Sequence, residues 1–101
     1  MFSRLVISLA VALTYSSAAA AISCGVCAPT IVYAGVTRKL TLSREEGAGN
    51  IDVQCNYDSP PIPNFSPGCL YRNVDGVLIF TNAGNACPSV IPTVSKTTSR
   101  C

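Results

Sequence analysis

Histidine is absent from this 101-residue chain, and only 12% of its residues are charged. Without imidazole the usual general base for a Ser or Cys nucleophile is missing. Zinc loses its most common nitrogen ligand for the same reason. The charges are scattered and nearly balanced. Seven Lys and Arg face five Asp and Glu, for a formal net charge of +2. Only Arg38-Lys39 are adjacent bases, which is no footprint for nucleic acid or an anionic membrane. Helical periodicity of useful length is lacking too. The long apolar run, Leu5 to Tyr15, is about eleven residues, short of the roughly 20 that span a bilayer.

The five carboxylates form no acid-base pair. Glycoside chemistry needs two carboxyl groups roughly 5–10 Å apart. Glu45-Glu46 read as neighbours on a glycine-bearing turn. Asp52 and Asp58 share a strand face but lie roughly 20 Å apart along it, and Asp75 belongs to a turn. No catalytic residue, cofactor or metal site is assigned, and no enzymatic activity is expected.

What the chain does carry begins with a leader. Met1-Phe2-Ser3-Arg4 is a short basic segment and Leu5 to Tyr15 an apolar core. Ser16-Ser17-Ala18-Ala19-Ala20-Ala21 then supplies small residues for a signal peptidase. Cleavage after Ala20 fits Ala18-x-Ala20 and divides the chain into a signal peptide, 1–20, and one exported domain, 21–101. That domain keeps all six cysteines. An even count in a short exported chain reads as a disulfide framework. Cys24, Cys27, Cys55, Cys69, Cys87 and Cys101 are expected to form three bridges, with Cys101 tying the tail to Cys24 or Cys27. A domain this small buries too little apolar surface to be comfortably stable without them. Cys24-Gly25-Val26-Cys27 has the spacing of a redox site, but Pro29 follows and no helix pattern is present to lower a thiol pKa. Zinc would require a second ligand pair.

Strand patterning supplies the rest. Ile51 to Asp58 alternates strictly, with Ile51, Val53, Cys55 and Tyr57 on one face and Asp52, Gln54, Asn56 and Asp58 on the other. The triplet Cys-x-Tyr occurs twice, at Cys55-Tyr57 and Cys69-Tyr71, and residues two apart on a strand share a face. The two triplets are expected to pack together as the core. Cys69–Asn73 and Val77–Thr81 read as a hairpin through Asp75-Gly76, with the inward set of its second strand, Val77 and Ile79 or Leu78 and Phe80, left open. Upstream, Ile31–Val36 and Val36–Leu42 are strand-like, the latter with Val36, Leu40 and Leu42 on one side, and Gly35 marks a bulge or bend between them. Ser43-Arg44-Glu45-Glu46 resembles a capping box and predicts one helical turn. Pro60, Pro61, Pro63 and Pro67 make Ser59 to Gly68 an extended surface loop. From Cys87 onward, Pro88 and Pro92 predict an extended tail without central-strand pairing. The expectation is a small all-β domain, an antiparallel sheet stapled by disulfides and folded over itself as a sandwich or partial barrel. Asn64-Phe65-Ser66 in the proline loop is a glycosylation sequon, and Ser89, Thr93, Ser95, Thr97, Thr98 and Ser99 are candidates for O-linked sugars.

The alanine-rich leader, the spaced cysteines, the repeated Cys-x-Tyr, Asp75-Gly76 before an apolar strand and Asn85-Ala86-Cys87-Pro88 together resemble small secreted cysteine-rich proteins of basidiomycete fungi. The likeness is fullest from Cys55 to Pro88. It implies secretion and a disulfide-stapled fold, and it carries no assigned activity. The Cys-Cys doublets of hydrophobins are missing here, so film formation is not implied by it. Two functional expectations follow. One is an extracellular, effector-like interaction module that acts at a cell wall or on another organism through its loops, with a glycan or a protein as partner. The other is a surface-active structural protein of a wall or an air–water interface, which calls for a large exposed apolar patch.

Overall fold

The computed structural model describes residues 20–101. The expected signal peptide lies outside them apart from Ala20. Eight strands form three antiparallel sheets. Strand β1 (Ile22–Gly25) pairs with β8 (Thr93–Lys96), and β2 (Thr30–Tyr33) with β3 (Val36–Lys39). A meander of β4 (Leu42–Glu46), β5 (Asp52–Asn56), β6 (Gly68–Arg72) and β7 (Leu78–Thr81) makes the third. Among the described residues the one helical element is a short 3-10 turn, Gly84–Ala86. The domain is all-β and sandwich-like, with no closed barrel.

The core sits against the inner face of the meander. Val53, Cys55 and Tyr57 on and just after β5, and Cys69 and Tyr71 on β6, are each 0% exposed. Cross-strand register sets Cys55 opposite Cys69 and Val53 opposite Tyr71. Three bridges close the structure: Cys24–Cys101, Cys27–Cys55 and Cys69–Cys87. The two cysteines of the Cys24-x-x-Cys27 motif therefore serve different partners, and no free cysteine remains among the described residues. Ile31, Ala83 and Ile91 complete the cluster from β2, the 3-10 region and the tail.

The two inner bridges repeat one construction. Tyr57, two residues after Cys55, donates its hydroxyl to the carbonyl of Ala28, the residue after Cys27, at 2.8 Å. Tyr71, two residues after Cys69, donates to the carbonyl of Pro88, the residue after Cys87, at 2.9 Å. Ser43, register partner of Cys55, places its hydroxyl 3.4 Å from Cys27 Sγ. Thr81, register partner of Cys69, places its own 3.0 Å from Cys87 Sγ. Val53 and Pro67, two residues before each central cysteine, are both fully buried. The two sets run in the same order along antiparallel strands paired at Cys55 and Cys69. The repeated Cys-x-Tyr is thus a clamp: the disulfide holds the covering segment, and that segment's next carbonyl gives the buried tyrosine hydroxyl its hydrogen-bond partner.

Burial pushes the Tyr57 hydroxyl up to about 12, and burial together with the nearby Tyr57 does the same for Tyr71. The folded state therefore holds two protons that the unfolded chain releases near pH 10. The sign is that stability is complete below pH 10 and is lost as pH rises toward 12. Urea midpoints measured from pH 8 to 12 should fall only above 10, and replacing either tyrosine by phenylalanine should reduce the steepness of that fall.

Several local expectations are corrected by tertiary pairing. Ser43–Glu46 is not a helical turn but part of β4, because its backbone pairs with β5 from Glu46–Asp52 to Leu42–Asn56. Ile51 precedes β5 and is 61% exposed, so the inward series begins at Val53. Ala34 and Gly35 both have positive φ and make a tight hairpin between β2 and β3 rather than a bend in one strand. On β3 the buried residue is Arg38, the register partner of buried Ile31, while Val36 and Leu42 are exposed. The returning strand follows neither parity. A register irregularity at Leu70 and Tyr71 sets Leu78 opposite Tyr71 and Thr81 opposite Cys69, and leaves Ile79 and Phe80 exposed. Pro67 and Gly68 are buried, so the proline loop is a surface feature only over its earlier part. The tail contributes β8, which pairs along β1.

Candidate functional site

With the inner face closed by disulfides and tyrosines, the other face of the meander is what the fold presents. The period-2 rule places there the residues between the buried ones. Register aligns them in rows: Arg44, Gln54, Leu70 and Phe80 across the middle; Glu46, Asp52 and Arg72 beside it; Leu42, Asn56 and Gly68 on the other side. Phe80 is 65% exposed. A Cβ on Gly68 would lie 2.6 Å from Gln54 Nε2, so the bare backbone at this position lets the Gln54 amide lie across the sheet.

That amide starts a fixed chain of hydrogen bonds. Gln54 Nε2 donates to Asn56 Oδ1 at 3.1 Å, and Asn56 Nδ2 to Ser66 Oγ at 2.8 Å. Ser66 Oγ donates to Asp58 Oδ2 at 2.9 Å, and Thr41 Oγ1 reaches the same oxygen at 3.1 Å. Asn82 bridges the loop from its other side, donating to the Ser66 carbonyl and accepting from the Gly68 N–H. The polar residues of β5 are therefore tied to the proline loop and to the end of β7. Their donors and acceptors are held in set directions before any ligand arrives.

At the Asp52–Arg72 end the face opens into a cleft of about 590 Å³. Its walls include Asn50, Ile51, Asp52, Arg72, Val74 and Arg100. Ile51 is 61% and Val74 72% exposed. Asn73 belongs to the same lining and is buried and fully bonded. Its Nδ2 donates to Glu45 Oε1 at 2.7 Å and to the Asn50 carbonyl at 2.9 Å, and its Oδ1 accepts from the Gly25 N–H at 2.7 Å. Arg72 is paired with Asp75 at 2.8 Å. The hydrogen bond from Arg72, and next the Val77 N–H, hold the Asp75 carboxyl below its ordinary range, while Asp75 raises the Arg72 guanidinium.

The carboxylates are distributed rather than gathered. Glu45 serves Asn73, Glu46 pairs with Arg44 at 2.7 Å, Asp58 accepts Thr41 and Ser66, and Asp75 holds Arg72. Glu45 and Glu46 stand on β4 and not on a turn, pointing to opposite faces. Among the described residues no group of three or more His, Cys, Asp or Glu is arranged to hold a metal ion. Asn64 is exposed at the tip of a turn with φ of 59°, closed by the Phe65 N–H on the Ile62 carbonyl at 3.3 Å. The hydroxyl of its sequon, on Ser66, belongs to the polar chain just described. Ser89, Thr93, Ser95, Thr97, Thr98 and Ser99 are all exposed. No helix among the described residues is long and apolar enough to cross a membrane.

The sequence marks the polar side of β5 but not its partners. Leu70 and Phe80 come onto the same face only through the irregular β6–β7 register, and Ile51 and Val74 meet at the cleft only because two turns converge. The alternation along β5 and the repeated Cys-x-Tyr located the opposite, closed face. No protein-family model, curated protein or solved structure matches this chain.

Proposed function

We propose that this chain is a secreted, non-enzymatic binding module, and that its contact surface is the outer face of the meander with the adjoining cleft. The observation that carries the reading is the pairing of exposed apolar anchors, Phe80, Ile51 and Val74, with arginines and a pre-bonded set of amide and hydroxyl groups. Aromatic and arginine side chains dominate binding energy at protein contacts, and fixed polar groups reduce the entropy lost on binding. An extracellular protein suits this chemistry best, with a wall glycan as the competing ligand. Secretion is supported by the leader pattern and by three disulfides that an oxidising compartment would maintain. The surface-active alternative has less support. The exposed apolar side chains are spread over different elements, Val32 on β2, Leu42 on β4, Phe80 on β7 and Val94 on β8, with charged and amide residues between them.

The test is a binding panel of extracellular proteins and wall polysaccharides probed with the oxidised domain. Phe80→Ala and Val74→Ser should each weaken a genuine ligand by roughly tenfold or more. Val32→Ser, an equally exposed change on another sheet, should leave it alone. Equal binding by all of them would place the contact elsewhere and overturn the assignment.

A further inference from the structure

The geometry points to a second site, separate from the meander face: Arg38 forms the floor of an oxyanion site between the β2–β3 hairpin and the proline loop, taking a carboxylate or sulfate group. Arg38 is only 5% exposed. Its Nε donates to the Tyr33 carbonyl at 3.1 Å and its Nη1 to the Pro60 carbonyl at 2.7 Å. The guanidinium carbon lies 6.0 Å from the Tyr33 ring centroid. These partners are all uncharged. A buried cation ordinarily stands opposite a carboxylate, because desolvation of the charge is otherwise uncompensated. The ion pairs among the described residues are Arg44–Glu46 and Arg72–Asp75, and neither involves Arg38. Asp58, which leads into the proline loop, is engaged by Thr41 and Ser66.

A guanidinium has five N–H bonds in a planar fork. Two are used here, and Nη2 has no partner among the described residues. No buried side-chain nitrogen or oxygen there lacks a hydrogen-bond partner, so Nη2 is in reach of solvent. The side chain is thus fixed by two carbonyls, while Nη2 keeps a narrow contact with solvent. That is a pre-organised receptor for an oxyanion, the group that arginine binds most strongly. Beside it the half-buried rings of Tyr33 and Phe65 stack at 5.7 Å and 20°, an apolar wall against which the body of a ligand can rest. A free inorganic anion and an acidic sugar, a uronate or a sulfate ester, share the required chemistry.

The test reads the wild-type, oxidised domain directly. In a 15N-arginine sample the Arg38 Nε–Hε resonance is followed while sodium sulfate, sodium acetate or trigalacturonate replaces sodium chloride at constant ionic strength. Arg72, exposed and paired with Asp75 on the meander face, reports that other surface separately. A saturable shift at Arg38 with only a linear drift at Arg72 is the expected result. Trigalacturonate binding about tenfold tighter than acetate would assign an acidic sugar, since only the sugar reaches the ring wall. Equal binding of the anions would assign a simple oxyanion site. Arg38→Lys keeps the charge but loses the fork, and should weaken binding by about tenfold. If that variant fails to fold, the wild-type titration still decides. No shift, or the same linear drift at Arg38 and Arg72, overturns the proposal.

Discussion

Val53→Asp should unfold the domain or come close to it. Val53 is 0% exposed, lies opposite Tyr71 on β6 and stands against Gly25, where even a Cβ would approach its Cγ1 to 3.2 Å. The neighbouring polar groups are already engaged, Tyr57 and Tyr71 with backbone carbonyls and Asn73 with Gly25, Glu45 and Asn50, so the carboxylate would be buried unpaired or protonated at a cost. The expected loss is about 3–5 kcal/mol, comparable with the whole stability of a small domain, about 5 kcal/mol at the lower end. Gln54→Asp, one residue along, is the matched control. It loses one amide hydrogen bond to Asn56, but its charge faces solvent beside its register partner Arg44. That change should cost about 1 kcal/mol or less. Urea denaturation of both variants under non-reducing conditions separates the faces, and comparable losses would contradict the observed register.

Removal of the bridges is expected to rank by packing rather than by loop length. In a chain-entropy picture the Cys24–Cys101 bridge, with a separation of 77, should matter more than Cys27–Cys55 or Cys69–Cys87, at 28 and 18. The inner bridges shorten that path, however. With both intact, the chain between Cys24 and Cys101 runs through roughly 30 residues and the two cross-links, so the terminal bridge removes less entropy than its separation implies. Cys24→Ala with Cys101→Ala frees the β1–β8 edge and should cost about 2–4 kcal/mol while the meander persists. Cys55→Ala with Cys27→Ala also empties the centre of the core, where Cys55 and Cys69 are both 0% exposed. It adds a cavity to the lost cross-link and frees the segment bearing Ala28, the acceptor of Tyr57. Loss of the folded state at 37 °C is the expected outcome. Circular dichroism melts of the two double variants check the order, and a terminal pair that proves the more damaging would restore loop length as the controlling factor.

The alternation from Val53 to Tyr57 and the repeated Cys-x-Tyr were legible because a strand's two faces are a local property, set by backbone geometry every second residue. The same holds for the count of cysteines, the proline loop and the glycine turns, whose consequences are confined to a few neighbouring residues. Together these local signals specify an all-β, three-bridge domain with Cys55, Tyr57, Cys69 and Tyr71 as its centre. Everything that depends on which distant segment lies alongside was decided by the tertiary structure. Ser43–Glu46 has the letters of a helix start, yet β5 offers its backbone a full ladder of partners and it becomes a strand. Arg38 interrupts an apolar parity and is buried all the same, because Ile31 across the hairpin faces the core and the carbonyls of Tyr33 and Pro60 accept two of its N–H bonds. Neither parity of the β7 sequence accounts for Leu78 and Thr81 both facing inward, since the irregular β6–β7 register changes the side partway along. The proposed contact face and the Arg38 fork are likewise tertiary products. Their members are unremarkable polar, apolar and basic residues in sequence, and they acquire a chemistry only when pairing brings Gln54 beside Leu70 and Phe80, and the proline loop over Arg38.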